Sequence, residues 1–221
     1  MNDGNLNLIQ ILRDLAVYSE YVSAVIGIIF YYKYKNTPLK YFALLLIYIG
    51  LNEYLGLQFK ENGIRYNKII YNIYNVINFT YLFIIYKNYI KNKRRKRIIL
   101  YFIIIYIISF IINGFFQNYI KQSQTIPYIL ASIFLVISVI FYFIEILNSE
   151  KVLKVNRNLL FWISVGLFLF HIGIIPFRII VNSFSNFTAL NYLFLIKFIL
   201  VIIMNICYII GFIWSKKEQP Y

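Results

Sequence analysis

Four ionisable side chains stand inside apolar stretches long enough to cross a membrane: Glu20, Glu53, Arg178 and Lys197. A charge in hydrocarbon is costly, so such residues mark either a ligand or ion path or buried pairs that hold helices together. Two acids and two bases at similar depth predict one polar cluster, open to one side of the membrane. A pocket and a pair of packing ion pairs both fit that cluster. His171 joins it through spacing, because Ser164, His171 and Arg178 repeat every seven residues and share one helical face. At 1.5 Å per residue His171 lies roughly 10 Å from Arg178 along the axis. Its titration range suits a proton relay, and a neutral ring bonded to a neighbouring helix is the structural alternative. Asn72, Asn75 and Asn78, spaced by three, either line a polar ligand site or bond between helices.

The elements that must position these residues follow from composition and length. Of 221 residues, 61% are hydrophobic and 14% charged, with a mean hydropathy of +0.70, which excludes an ordinary soluble fold. A bilayer core needs roughly 20 apolar residues per helix. Seven stretches satisfy it, near 14–33, 39–58, 68–87, 98–117, 127–147, 159–181 and 193–214. The expected fold is all-α: a polytopic transmembrane bundle of seven helices forming a single transmembrane domain, 1–221. Asp3 stands where a signal peptide would carry a basic residue, so no cleaved leader is expected.

Charge sets the orientation. The net charge is +14. Lys33, Lys35 and Lys40, the run Lys91, Lys93, Arg94, Arg95, Lys96 and Arg97, then Lys151, Lys154 and Arg157, and finally Lys216 and Lys217 fall on alternate connections. The opposite connections hold fewer, among them Arg13, Lys60, Arg65, Lys68 and Lys121. The positive-inside rule puts the N-terminus outside and the C-terminus in the cytoplasm. All four core charges then fall in the outer half. The run from Lys91 to Arg97 is a topology signal that also suits anionic lipids at the cytoplasmic face or a cytoplasmic protein partner, and nucleic acid is not expected there.

Other features restrict the chemistry. One histidine and one cysteine, Cys207, exclude a multi-histidine or cysteine metal site, and neither a phosphate-cradling loop nor a nucleophile elbow occurs. No catalytic residue, metal or cofactor is expected. Lys197 is too near the membrane surface for a retinal linkage. Pro176 interrupts helix 6 beside Arg178, and Gly166 and Gly173 share a face that allows close packing. Asn78-x-x-Tyr81 and Asn205-x-x-Tyr208 suggest a repeat relating helices 3 and 7 in a three-plus-one-plus-three plan.

The stretch Phe161-Trp162-Ile163-Ser164-Val165-Gly166, with Asn52-Glu53 and the segment from Asn205 to Trp214, resembles a family of small, uncharacterised seven-helix membrane proteins of Bacteroidota. The resemblance implies a bacterial inner membrane and brings no activity with it. From the residues themselves, the first expectation is a receptor-like sensor with a polar site in the outer half of the bundle, at Glu20, Glu53, Asn72, Asn75, His171, Arg178 and Lys197. The alternatives are a small-molecule or ion transporter and a structural subunit of a membrane assembly.

Overall fold

The computed structural model describes residues 3–61, 68–149, 155–180 and 187–217. Arg65, Lys151 and Lys154, and the side chain of Lys60, lie outside that description. Seven α-helices run in order: α1 (Asp3–Ile29), α2 (Phe42–Glu61), α3 (Lys68–Tyr89), α4 (Lys93–Asn113), α5 (Thr125–Leu147), α6 (Leu159–Ile180) and α7 (Phe187–Trp214). No strand occurs among the described residues. Short 3₁₀ turns at Tyr31–Lys33 and Pro38–Tyr41 join α1 to α2, and Thr37 starts the second by accepting from the Leu39 N–H. Asn92 starts α4 in the same way, its Oδ1 accepting from the N–H groups of Arg94 (2.9 Å) and Arg95 (3.2 Å).

Among the described residues, six segments are long and apolar enough to cross a membrane: 38–59, 68–89, 93–113, 125–147, 159–180 and 191–214. The pattern of burial is that of a protein dissolved in lipid. Asn72, Asn205 and His171 are 0%, 1% and 2% exposed, whereas Leu44, Ile111 and Ile29 are 60%, 55% and 61% exposed. Water would drive the opposite arrangement. The chain is therefore a multi-pass membrane protein.

α1 is long enough to cross but is not among the six; its packed side carries Glu20 and Ser23 between Ala16, Ala24 and Gly27. Its outer side is different. Leu8, Ile11, Leu15, Tyr18, Val22, Val25 and Ile29 are all exposed and alternate at spacings of three and four. That apolar stripe is about 31 Å long at 1.5 Å per residue, the thickness of a bilayer core.

The chain divides into two compact units. The first comprises residues 1–46 and 156–221, the second residues 47–155. In the first, α7 packs against both α1 and α6. Phe42, at the start of α2, sets its ring edge-on to Tyr208 and close to Phe212. In the second, α3, α4 and α5 pack against one another. Their core is aromatic, with Phe79 edge-on to both Tyr106 and Tyr128. This grouping departs from the three-plus-one-plus-three plan, which pairs α5 with α6 and α7 and leaves α4 as a linker. Here α5 belongs with α3 and α4, and α1 with α6 and α7.

Candidate functional site

The first unit holds Glu20, His171, Arg178 and Lys197; the second holds Glu53, Asn72, Asn75 and the basic run. In the first unit, small residues set the spacing of the helices. A Cβ on Gly166 of α6 would come within 3.0 Å of the Met204 carbonyl oxygen on α7, and one on Gly173 would meet the Leu200 side chain. One on Gly27 of α1 would come within 3.1 Å of the Phe212 ring. Between these close approaches runs a polar seam. Ser23 Oγ donates to Asn205 Oδ1 at 2.7 Å across α1 and α7, while Asn205 Nδ2 donates to the Val201 carbonyl at 3.0 Å. Ser164 and His171 of α6 are buried as well, and Glu20 and Arg178 are half-buried.

The contacts fix the relative heights. Counting at 1.5 Å per residue from the Ser23–Asn205 bond, Glu20 lies about 4.5 Å and Lys197 about 12 Å away from the end that carries Lys33. On α6, His171 is two residues short of Gly173, which faces Leu200, and Arg178 is five residues beyond it. The rings of Phe177 and Phe194, 5.7 Å apart, place Arg178 beyond Lys197, farther still from the end that carries Lys33. Glu20 and His171 thus stand nearer the height of the Ser23–Asn205 bond, and Lys197 and then Arg178 farther from it, toward the end opposite Lys33. The expectation of a single depth is corrected for the three charges of this unit. The reason lies at the end of α1, which stops at Ile29 rather than 33. The chain turns there because Tyr34 Oη donates to the Gly27 carbonyl at 2.5 Å. Each of the four residues is engaged: the His171 ring stands edge-on to Phe170 at 5.1 Å, and the Lys197 ammonium lies 5.4 Å from the Phe198 ring centroid.

The two ends of this unit differ. At the end where α1 and α7 finish, Lys33 Nζ donates to the carbonyls of Phe212 (2.8 Å) and Ile213 (2.9 Å). These belong to the last turn of α7, which has no N–H of its own to offer them. Burial lowers the pKa of Lys33 and raises that of Tyr34, whose phenol is also raised by Tyr31 and stays a donor. Trp162 Nε1 donates to the Asn156 carbonyl at 2.8 Å, and the Lys216 N–H to the Arg157 carbonyl at 3.0 Å. A Cβ on Gly211 would come within 2.8 Å of Trp162 Cβ. This end is tied on both sides of α7. The charged side chains Arg178 and Lys197 stand toward the other end.

In the second unit the amides serve the backbone. Asn72 Nδ2 donates to the carbonyls of Tyr119 (2.7 Å) and Gln122 (2.9 Å), and its Oδ1 accepts from the Gln124 N–H (3.2 Å). Gln124 in turn accepts from Asn113 at 2.6 Å and donates to the Gln117 carbonyl at 3.1 Å. Asn72 therefore folds the connection between α4 and α5 onto α3. Sequence reasoning missed Asn113 and Gln124, both buried; an amide at each edge of that connection was the available signal. Asn75 is buried and Glu53 half-buried. Within the basic run, Arg95 pairs with Glu145 at 3.2 Å, and Glu145 also accepts from the Lys91 N–H at 3.0 Å. Lys91, Lys93, Arg94 and Arg97 are exposed and Lys96 is half-buried.

Fold and seam together define the class, a multi-pass α-helical membrane protein with polar residues turned inward. Comparison with family models, with curated proteins and with solved structures finds no match to this chain.

Proposed function

We propose that this chain is a receptor-like sensor of a bacterial inner membrane, crossing seven times with its N-terminus outside. A small polar or charged ligand enters from the outer side and engages Arg178 and Lys197, with Glu20 and His171 one level deeper. The observation that carries this reading is the contrast between the ends of the first unit. Lys33 and Tyr34 tie the inner end to α7 and α1, and Trp162 and Lys216 tie it to residues 156–157. A ligand reaching the seam from one side perturbs α6 where Pro176 has already removed a helical hydrogen bond. The inner ties then carry any change to the basic connections, where a cytoplasmic protein partner would sense it.

The reading also supports seven crossings, because the outward stripe of α1 matches a bilayer in length and polarity. The resemblance to the Bacteroidota family supports the inner-membrane location. Transport is the second reading, favoured by the buried polar face of α6 from Ser164 through His171, and it needs access from both sides. Single cysteines at Lys197→Cys, Arg178→Cys and Ser23→Cys, in a Cys207→Ala background, separate the two. With a membrane-impermeant maleimide, Lys197→Cys and Arg178→Cys react from the N-terminal side alone, and Ser23→Cys does not react from the opposite side. Reaction of Ser23→Cys from that opposite side replaces the sensor with a carrier.

A further inference from the structure

The basic run at the start of α4 is split between two faces of one helix. Arg95 turns toward α5, where Glu145 holds it and its guanidinium lies 5.8 Å from the Phe141 ring centroid. Arg94 and Arg97 are exposed, and they begin a stripe that continues through Tyr101, Ile104, Ile108 and Ile111, every one exposed and spaced by three or four. In a membrane helix an exposed apolar stripe faces lipid tails. The two arginines stand on that same stripe, and Arg97 is only about 6 Å above Tyr101 along the axis, which puts both at headgroup height.

The helix end does not attract these cations. The positive end of a helix dipole repels them, no acid occupies the first turn, and Asn92 already takes two of the free amide groups. An anion supplied from outside the chain relieves that repulsion, and lipid phosphates are the anions available at this height on this face.

We propose that Arg94 and Arg97, with Lys93 beside them, form a binding site for the headgroup of an acidic phospholipid, and that Glu145 reserves Arg95 for the protein core so that the site keeps one face. The assignment is independent of the seam in the first unit. Its occupant is lipid rather than an acidic protein segment or nucleic acid, because the cations lead directly into the lipid-facing stripe.

The test uses the full chain reconstituted in vesicles of equal parts phosphatidylcholine and phosphatidylglycerol, with trace spin-labelled forms of each lipid. The wild type immobilises labelled phosphatidylglycerol in preference to labelled phosphatidylcholine. Combining Arg94→Gln with Arg97→Gln lowers that preference by about fivefold or more, given the usual contribution of a basic residue at an anionic surface. Combining Lys216→Gln with Lys217→Gln, which removes the same charge from the tail, leaves it in place. Raising the salt concentration on the unaltered protein weakens it, a check that needs no substitution. An unchanged preference in the arginine variant, an equal loss in the tail variant, or a preference insensitive to salt each overturns the assignment. An absent preference in the wild type would leave the face to an acidic protein.

Discussion

Asn72 and Asn205 are the same residue, both almost fully buried within apolar helices, and they do different work. Asn72 spends its amide on three backbone groups of the connection between α4 and α5. Asn205 accepts from one serine on a neighbouring helix and otherwise donates to its own helix, four residues back. An intramembrane amide whose partners are the backbone groups of a connection ties that connection down and is part of the fold. One tied to another side chain halfway along a helix pair sits in a seam that can change its partners. The second unit is thus closed by its amides, whereas the first is left with a polar interior whose charged members stand toward one end.

The largest effect should fall on Asn72. Asn72→Leu removes three hydrogen bonds and strands the buried Gln124 N–H, which alone is worth about 1–3 kcal/mol without a partner. A loss of about 3 kcal/mol or more is expected in unfolding by denaturing detergent, together with faster hydrogen exchange over residues 117–124. A loss below about 0.5 kcal/mol, the range of an ordinary surface change, would erase the contrast with Asn205.

Next comes the spacing of the first unit. Gly166→Val places methyl groups against the Met204 carbonyl, a backbone atom that cannot swing aside. Overpacking of this kind costs about 1–3 kcal/mol. Gly114→Ala offers a comparison, because the atoms it would displace are the outer end of the Tyr119 ring and hydroxyl. It should cost less. Equal costs would mean that α6 and α7 are not held at the separation described.

The seam itself should prove weaker than its burial suggests. In a double-mutant cycle of Ser23→Ala and Asn205→Leu, the coupling should be about 0.6 kcal/mol and no more than about 1.7, as for other interhelical hydrogen bonds in membranes. A coupling well above that range would show that Asn205 is as firmly committed as Asn72.

The helices were legible in the sequence because about 20 apolar residues in a row have few other uses. Six of the seven expected stretches match helices that are long and apolar enough to cross. The start and end of α1 were not legible, since Phe30, Tyr31 and Tyr32 continue the apolar run past the last helical residue, Ile29. A hydrogen bond from Tyr34 ends the helix, and spacing alone does not reveal it. That shift moved Glu20 away from the level of Lys197. The role of Asn72 was hidden for another reason: its partners are backbone groups some 50 residues away, and backbone groups leave no mark in a sequence. The split of the basic run into Arg95 on one side and Arg94 and Arg97 on the other was readable as helical phase, but only Glu145 shows which side is protein.

The smallest effect, and the sharpest on the tied end of the first unit, belongs to Lys33. A cation on the last carbonyls of a helix contributes about 0.3–1 kcal/mol, so Lys33→Met should lower stability by that amount and Lys33→Arg by less. Its pH dependence tests whether burial or charge governs the tie. Burial lowers the folded-state pKa of Lys33 below the ordinary lysine value of 10.5. Between the lowered value and 10.5 the unfolded chain holds the proton more often than the folded one, so the wild type gains stability as pH rises through that window. The deficit of Lys33→Met relative to wild type should therefore be constant near neutrality and grow on the alkaline side. A deficit that shrinks there instead would mean that the charge on the α7 carbonyls outweighs the burial of the side chain, and that the tied end is held by an electrostatic cap which alkali releases.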